Sequence, residues 1–443
     1  MSLMAPRGLI ICSDRRLEFA MRDGNRTIRE SAGTHSLHIA MVMPAYLPES
    51  FGGAEQQCRK LSKALSAIGA HVTILAPRLL QTTLREERDG AVVIRRFRVR
   101  KAPNLGGRYI GSLLVWSAAV VSWLWKHRQS IDVIHIFHGR LHALPGVLGG
   151  VLIGKSSLIK LGRGGEHFDL ELVRGKRLGG RFAYRTLLKH TSGYIANSRE
   201  IVKDLLAHEV PANRIFTVAN GVEIPALSSV DAIRRTGRLH QREYVYVGRL
   251  DREKRIDLML RGFGRFSDSS ARLTIVGDGD CRAGLQLLAS ELGLRSRVTF
   301  AGRTDDVPTY LRSAHFYLST SASEGMSNAL LEAMSFGVVP LVSDVSGAKD
   351  IVDHGRSGFL FKAEDVDDFV AKLELMRRAT ATSYSVMSHA ARESMRQHFG
   401  IERIAEQHLQ IYRAALDPSR LPSSLLPVNR VGTIASSDPP LRP

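Results

Sequence analysis

Short apolar runs recur along this chain at intervals that suit an open parallel sheet. His38–Met43 (HIAMVM) is the first, and Pro44 stops it. A Gly-rich loop follows, then apolar positions at helical spacing over Ala54–Ile68, then a second run at His71–Ala76. Strand, loop, helix and strand form the repeating unit of an α/β sheet. Val92–Val99, Asp132–Phe137, Ser157–Leu161, Gly193–Asn197 and Ile215–Val218 continue the series to a turn signal at Asn220-Gly221. The pattern then starts again. Tyr244–Val247, Arg272–Val276, Val298–Ala301, Ala314–Leu318, Val338–Ser343 and Gly358–Phe361 read as strands. Helical spacing covers Ile256–Phe266, a stretch ending at Phe336, and residues 384–415. Two α/β halves therefore stand in series, joined near residues 220–240. In such sheets ligands sit at the carboxyl ends of the strands, so the loops after the strands are where chemistry is expected.

Composition limits the function classes. Of 443 residues, 44% are hydrophobic and 24% charged, enough apolar material for two full cores. Cys12, Cys58 and Cys281 are far apart and odd in number, which argues against a disulfide framework or a structural zinc site and suits a reducing compartment. The net charge of +19 is uneven: residues 1–220 hold 33 basic and 16 acidic residues, a net of +17. A basic half implies an anionic partner, whether membrane surface, nucleic acid or acidic substrate. No base-stacking or groove-entering module accompanies it, so nucleic acid is not expected. Residues 1–36 lack an apolar core of signal-peptide length and read as an extension. Tyr109–Trp125 is a long uncharged run with aromatic residues and basic flanks, just short of a membrane span. It reads either as a core helix or as a surface helix at an anionic headgroup layer.

Four segments carry candidate chemistry. Ser323–Gly337 (SEGMSNALLEAMSFG) places Glu324 before a helix and Glu332 inside it, with Ser327 as N-cap and Gly337 as stop. The two carboxylates are then on the order of 10 Å apart, with free N–H groups of a helix start between them. On spacing alone Glu332 can equally face water. Tyr244–Lys254 (YVYVGRLDREK) ends a strand at Gly248 and follows it with Arg249 and Lys254, suited to a leaving diphosphate. Phe51–Glu55 (FGGAE) lets a loop pass close to a ligand at Gly53, and His135–Gly139 (HIFHG) offers His138 as a hydrogen-bond donor or as a structural group.

Taken together, GGAE, VGRLDREK, VGDG, EGMSNALLEAM and Val342–Leu360 resemble glycosyltransferase family 4, whose fold is GT-B. The likeness covers roughly residues 38–415. It implies α/β architecture with two Rossmann-like domains facing each other across a cleft: an acceptor-binding domain at 37–219, a nucleotide-sugar domain at 220–398 and a helix at 399–416 packing back on the first domain. The extension at 1–36 and the tail at 417–443, read as disordered from its Pro and Ser content, lie outside the likeness. It implies a retaining hexosyltransferase that needs no metal and no cofactor, with a nucleotide-sugar donor and a lipid-linked or polysaccharide acceptor; UDP is preferred to GDP on base rate alone. Arg249 and Lys254 then bind the donor diphosphate, Glu332 the ribose, and Glu324 the donor sugar at the reacting centre. Gly325, Met326 and Ser327 supply backbone contacts, Gly53 closes over the phosphate, and Gly248 and Asp278 line the donor side. His138 resembles the cleft histidine, a looser match. Asp278-Gly279-Asp280 looks like a metal motif but reads as the family's turn after a strand. The basic first half suggests a cytoplasmic enzyme resting on the inner face of the membrane. A pseudo-enzyme on the same scaffold, binding nucleic acid or membrane through its basic half, is the competing reading.

Overall fold

The computed structural model describes residues 36–100, 110–177, 179–226 and 241–417. Two α/β lobes are built on two sheets. The first holds β1 (His38–Val42), β2 (His71–Arg78), β3 (Glu86–Asp89), β4 (Val92–Arg98), β5 (Val133–Phe137), β6 (Ser156–Lys160), β7 (Gly193–Ala196) and β8 (Ile215–Thr217), in the order β3-β4-β2-β1-β5-β6-β7-β8. Every pairing is parallel except the β3–β4 edge hairpin. The second holds β9 (Glu243–Val247), β10 (Arg272–Val276), β11 (Val298–Gly302), β12 (Phe316–Ser319), β13 (Val339–Ser343) and β14 (Phe359–Phe361), all parallel, in the order β11-β10-β9-β12-β13-β14. Strands such as β5 and β13 are buried along their whole length. Helices cover both faces of each sheet, so these strands read as unbroken apolar runs rather than alternating ones.

The order of strands in each sheet reverses beside its first strand, which opens a crevice at the carboxyl edge. The chain passes between the lobes twice, and the two passages touch: Val222 N donates to Phe399 O at 2.8 Å, and Ile401 N to Val222 O at 2.9 Å. Gly221 packs closely there: a Cβ would meet Ile401 Cδ1 at 2.3 Å and Ile401 Cα at 3.2 Å, so a side chain would make Ile401 shift. Just before the second passage a π-helical turn, Met395–Phe399, separates helices Ala381–Ser394 and Ile401–Leu416. The helical spacing over 384–415 is met by two helices, bent where the chain crosses over. Ile404, Ala405, Ile411 and Tyr412 of the last helix join Met41, Val72 and Val133 in one core cluster on the first sheet. The expected strand Ala314–Leu318 begins two residues later, because helix Val307–Ser313 runs up to Ala314.

Most of the aromatic run forms a helix, Ile110–Lys126; Tyr109 lies outside the described residues, as do residues 1–35 and the tail from 418. Ser112, Trp116, Val120 and Leu124 form its buried stripe, and Trp116 Nε1 donates to His142 O at 3.2 Å. Ile110, Leu114, Val115 and Trp125 stay exposed. The run is a core helix on one side and an apolar surface on the other. Among the described residues no helix is long and apolar enough to cross a membrane.

Candidate functional site

A cavity of about 1520 Å³ separates the carboxyl edges of the two sheets. Strand-end loops from both lobes line it, which brings together residues far apart in sequence.

On the second lobe, Gly277 takes φ +144°, and a Cβ there would fall 1.8 Å from Gly248 O. The loops after β9 and β10 can therefore meet only through glycine. Arg249 extends from the first of them with its side chain 66% exposed, tethered to Asp251 at 3.0 Å. Asp251 also caps the turn Arg252–Lys254 by accepting from Lys254 N. Lys254 Nζ, mostly buried, is ion-paired with Glu324, which also accepts from Ser321 Oγ at 3.0 Å. Ser327 caps helix Asn328–Ser335, and Gly337 ends it at φ +73°. Glu324, Gly325, Met326 and Ser327 all line the cavity, so the uncapped N–H groups of that helix start open onto it. Asp278 accepts from Gly279 N at 2.8 Å and pairs with Arg282 at 3.2 Å.

Glu332 is set apart from this group. It does not line the cavity; its carboxylate pairs with Lys60 Nζ of the facing helix Gly53–Ala67 at 2.6 Å, with 30% of the side chain exposed.

On the first lobe, Gly53 begins its helix, and its carbonyl accepts from Asn328 Nδ2 at 2.9 Å. His138 has φ +66°, uncommon for a residue with a Cβ. Its Nδ1 faces Asp169 Oδ2 at 3.2 Å, and Arg140 Nε donates to Asp169 Oδ1 at 2.7 Å. Burial alone would raise the Asp169 carboxyl; His138 and Arg140 outweigh it and hold that carboxyl far below the usual carboxylate range. The imidazole packs against Gly162, where a Cβ would meet His138 Cε1 at 2.7 Å.

Several residues here carry no sequence signal. Gln57 Nε2 donates to Gly221 O at 2.9 Å and to Asn328 Oδ1 at 3.0 Å, and Asn220 Nδ2 donates to Asn328 Oδ1 at 3.0 Å. Arg163 of the first lobe reaches Glu253 of the Lys254 turn at 3.3 Å. These amides and ion pairs fix the lobes around the cavity.

The same lobes match two family profiles: "Glycosyl transferase 4-like domain" over residues 52–221 and "Glycosyl transferases group 1" over 231–394. The chain belongs to the family 4-like glycosyltransferases. The N-acetyl-alpha-D-glucosaminyl L-malate synthase of Bacillus anthracis is 25% identical over 64% of this chain and 75% of its own. A UDP-Gal:alpha-D-GlcNAc-diphosphoundecaprenol alpha-1,3-galactosyltransferase of Escherichia coli is 26% identical over 45% of this chain and 54% of its own. Among solved structures, HepE of Anabaena in complex with UDP superposes with a TM-score of 0.68 at 18% identity, over 86% of this chain and all of its own. The fold of this glycosyltransferase is GT-B.

Proposed function

We propose that this glycosyltransferase moves a hexose from a UDP-sugar, with retention at the anomeric carbon and without a metal, to a lipid-linked or polysaccharide acceptor. The observation that carries this reading is the convergence of Arg249, Lys254, Glu324 and an open helix start on one cavity. In the reaction the bond from the anomeric carbon to the diphosphate breaks, a bond to the acceptor oxygen forms on the same face, and the acceptor hydroxyl's proton passes to the departing diphosphate. Arg249, Lys254 and the N–H groups after Ser327 neutralise the departing diphosphate. Glu324 meets the donor sugar, and the Lys254–Glu324 ion pair keeps both groups aimed into the cavity before the donor arrives. UDP in the HepE complex and the UDP-sugar named for the Escherichia coli relative support the nucleotide; the diphosphoundecaprenol in that relative's name supports a lipid-linked acceptor. A thermal-shift panel of UDP- and GDP-sugars tests the donor, since a ligand at 100 times its Kd adds about 2.7 kcal/mol. Transfer or hydrolysis of the donor that survives EDTA supports the metal-free enzyme. Donor binding with neither reaction indicates the pseudo-enzyme.

Glu332→Ala is expected to raise the donor KM about tenfold or more and to change kcat by only a few fold. The motive is its place one helix turn beyond the capped start, paired with Lys60 of the other lobe beside the cavity, where ribose hydroxyls can exchange for the ammonium. Steady-state kinetics with the donor varied check this; a fall in kcat at constant KM contradicts it.

The acceptor lobe is proposed to rest on an anionic membrane. Helices Ile110–Lys126, Leu144–Ile153 and Gly180–His190 contain no acidic residue. They expose Leu114, Val115, Leu148, Val151, Leu152 and Phe182 beside basic Lys126, Arg181, Arg185 and Lys189. Each basic residue near such a surface contributes on the order of 1 kcal/mol, and apolar side chains add to it. Flotation with anionic vesicles at low salt is expected to recover the protein, and high salt to release most of it. Equal recovery on neutral vesicles would remove the electrostatic part.

A further inference from the structure

Gly53, Gln57 and Lys60 of helix Gly53–Ala67 cross to the second lobe, and their spacing of four and three puts them on one face of that helix. Their partners Asn328 and Glu332 share a face of helix Asn328–Ser335 in the same way. Gly53 O accepts from Asn328 Nδ2 at 2.9 Å, Gln57 Nε2 donates to Asn328 Oδ1 at 3.0 Å, and Lys60 Nζ donates to Glu332 Oε1 at 2.6 Å. The two helices are thus clasped stripe to stripe between the lobes. Gly53, Gln57 and Asn328 line the cavity; Lys60 and Glu332 form the next pair along, just outside its lining.

Lys60 differs from the cations beside it. Arg59 and Lys63 share Asp89 of their own lobe, each at 2.8 Å, whereas Lys60 reaches the other lobe. Among the described residues neither the Lys60 nor the Glu332 side chain has another ion pair or hydrogen bond. The two are 15% and 30% exposed, so water and salt screen the pair less than they screen a bridge on the open surface. A carboxylate that receives two neighbouring hydroxyls uses both of its oxygens, and here Oε1 is already given to the ammonium. Ribose therefore reaches Glu332 only at the expense of Lys60.

We infer that Lys60 is an intramolecular competitor for the ribose site. It holds Glu332 and the contact between the lobes while the donor site is empty, yields the carboxylate as the nucleotide enters, and reclaims it as UDP leaves. This rests on the reading of Glu332 as the ribose carboxylate. Lys60 acts through Glu332 without touching the donor, so it is a positioning residue for donor exchange. A contact made only in the empty state weakens binding by its own free energy. Lys60 therefore lowers the affinity for every nucleotide that carries both ribose hydroxyls, product included, and so favours release of UDP.

Calorimetric titration of the full-length protein with UDP and with 2′,3′-dideoxyuridine 5′-diphosphate tests it. Lys60→Met is expected to bind UDP about fivefold more tightly or better, and the dideoxy nucleotide within about twofold of wild type, because only the hydroxyls compete with the ammonium. Lys60→Gln is expected to follow Lys60→Met, and Lys60→Arg, which keeps the charge, to stay within about threefold of wild type. Adding Glu332→Ala to Lys60→Met measures the ribose contact with the competitor gone. If that second change weakens UDP binding but Lys60→Met alone does not tighten it, the proposal falls and the ribose reading stands. If the second change costs no affinity, the ribose reading itself falls, and the proposal with it. Tightening of both nucleotides alike would assign Lys60 to lobe closure rather than to competition, which also overturns the proposal.

Discussion

Arg249→Ala and Lys254→Ala are each expected to lower kcat by a factor of 10²–10³, equivalent to about 3–4 kcal/mol of lost transition-state stabilisation. The diphosphate gains charge as the glycosidic bond breaks, and in the proposed reaction no metal shares it. The two cations are not equivalent. Arg249 is mostly exposed and tied only to Asp251, so its loss removes a contact that forms with the donor. Lys254 is mostly buried and paired with Glu324, so its loss also leaves that carboxylate unpaired beside the sugar. Lys254→Ala is therefore expected to be the more damaging, and Lys254→Arg to restore little, because a planar fork does not replace a compact ammonium in that space. Donor hydrolysis and transfer, each measured with and without EDTA, check this. Full activity in the double variant, or complete loss of wild-type activity with EDTA, would overturn the metal-free reading.

The strands were legible because both sheets are buried on both faces. A parallel strand under helices must be apolar throughout, and runs such as DVIHIF and VVPLVS have few other uses. β3 was missed for the opposite reason. Its sequence is EERD, and it is held at the sheet edge by charge pairs, Glu86 with Arg95 and Glu87 with Arg96, rather than by burial. The second-lobe loops were legible because close backbone approach restricts residue type: Gly277 admits no side chain against Gly248 O. The residues that join the lobes were not. Gln57 and Asn328 are 271 positions apart and meet only once both sheets exist. Lys160 reads in sequence as the polar end of a short strand, and only the tertiary fold reveals that it is enclosed. Glu332 was placed correctly on its helix, yet spacing could not foresee that Lys60 of the other lobe would occupy its carboxylate.

Asp169→Ala is expected to destabilise the first lobe by about 3 kcal/mol, near the lower end for breaking a buried ion pair, because Arg140 and His138 keep partial access to water. The carboxylate is fully buried and accepts from His138, Gly139 N and Arg140. It holds the turn in which His138 adopts its positive φ, so activity is expected to fall with stability even though Asp169 does not line the cavity. The pH dependence has a definite sign. The carboxyl is depressed in the folded state, so its contribution is complete above the unfolded value near 4 and is lost as pH falls below that. Denaturant melts of wild type and Asp169→Ala should therefore differ at pH 7, and the gap should shrink as pH falls below about 4. A gap that persists undiminished at pH 3, or no gap at pH 7, would mean that the His138–Asp169–Arg140 cluster does not hold this wall of the cleft.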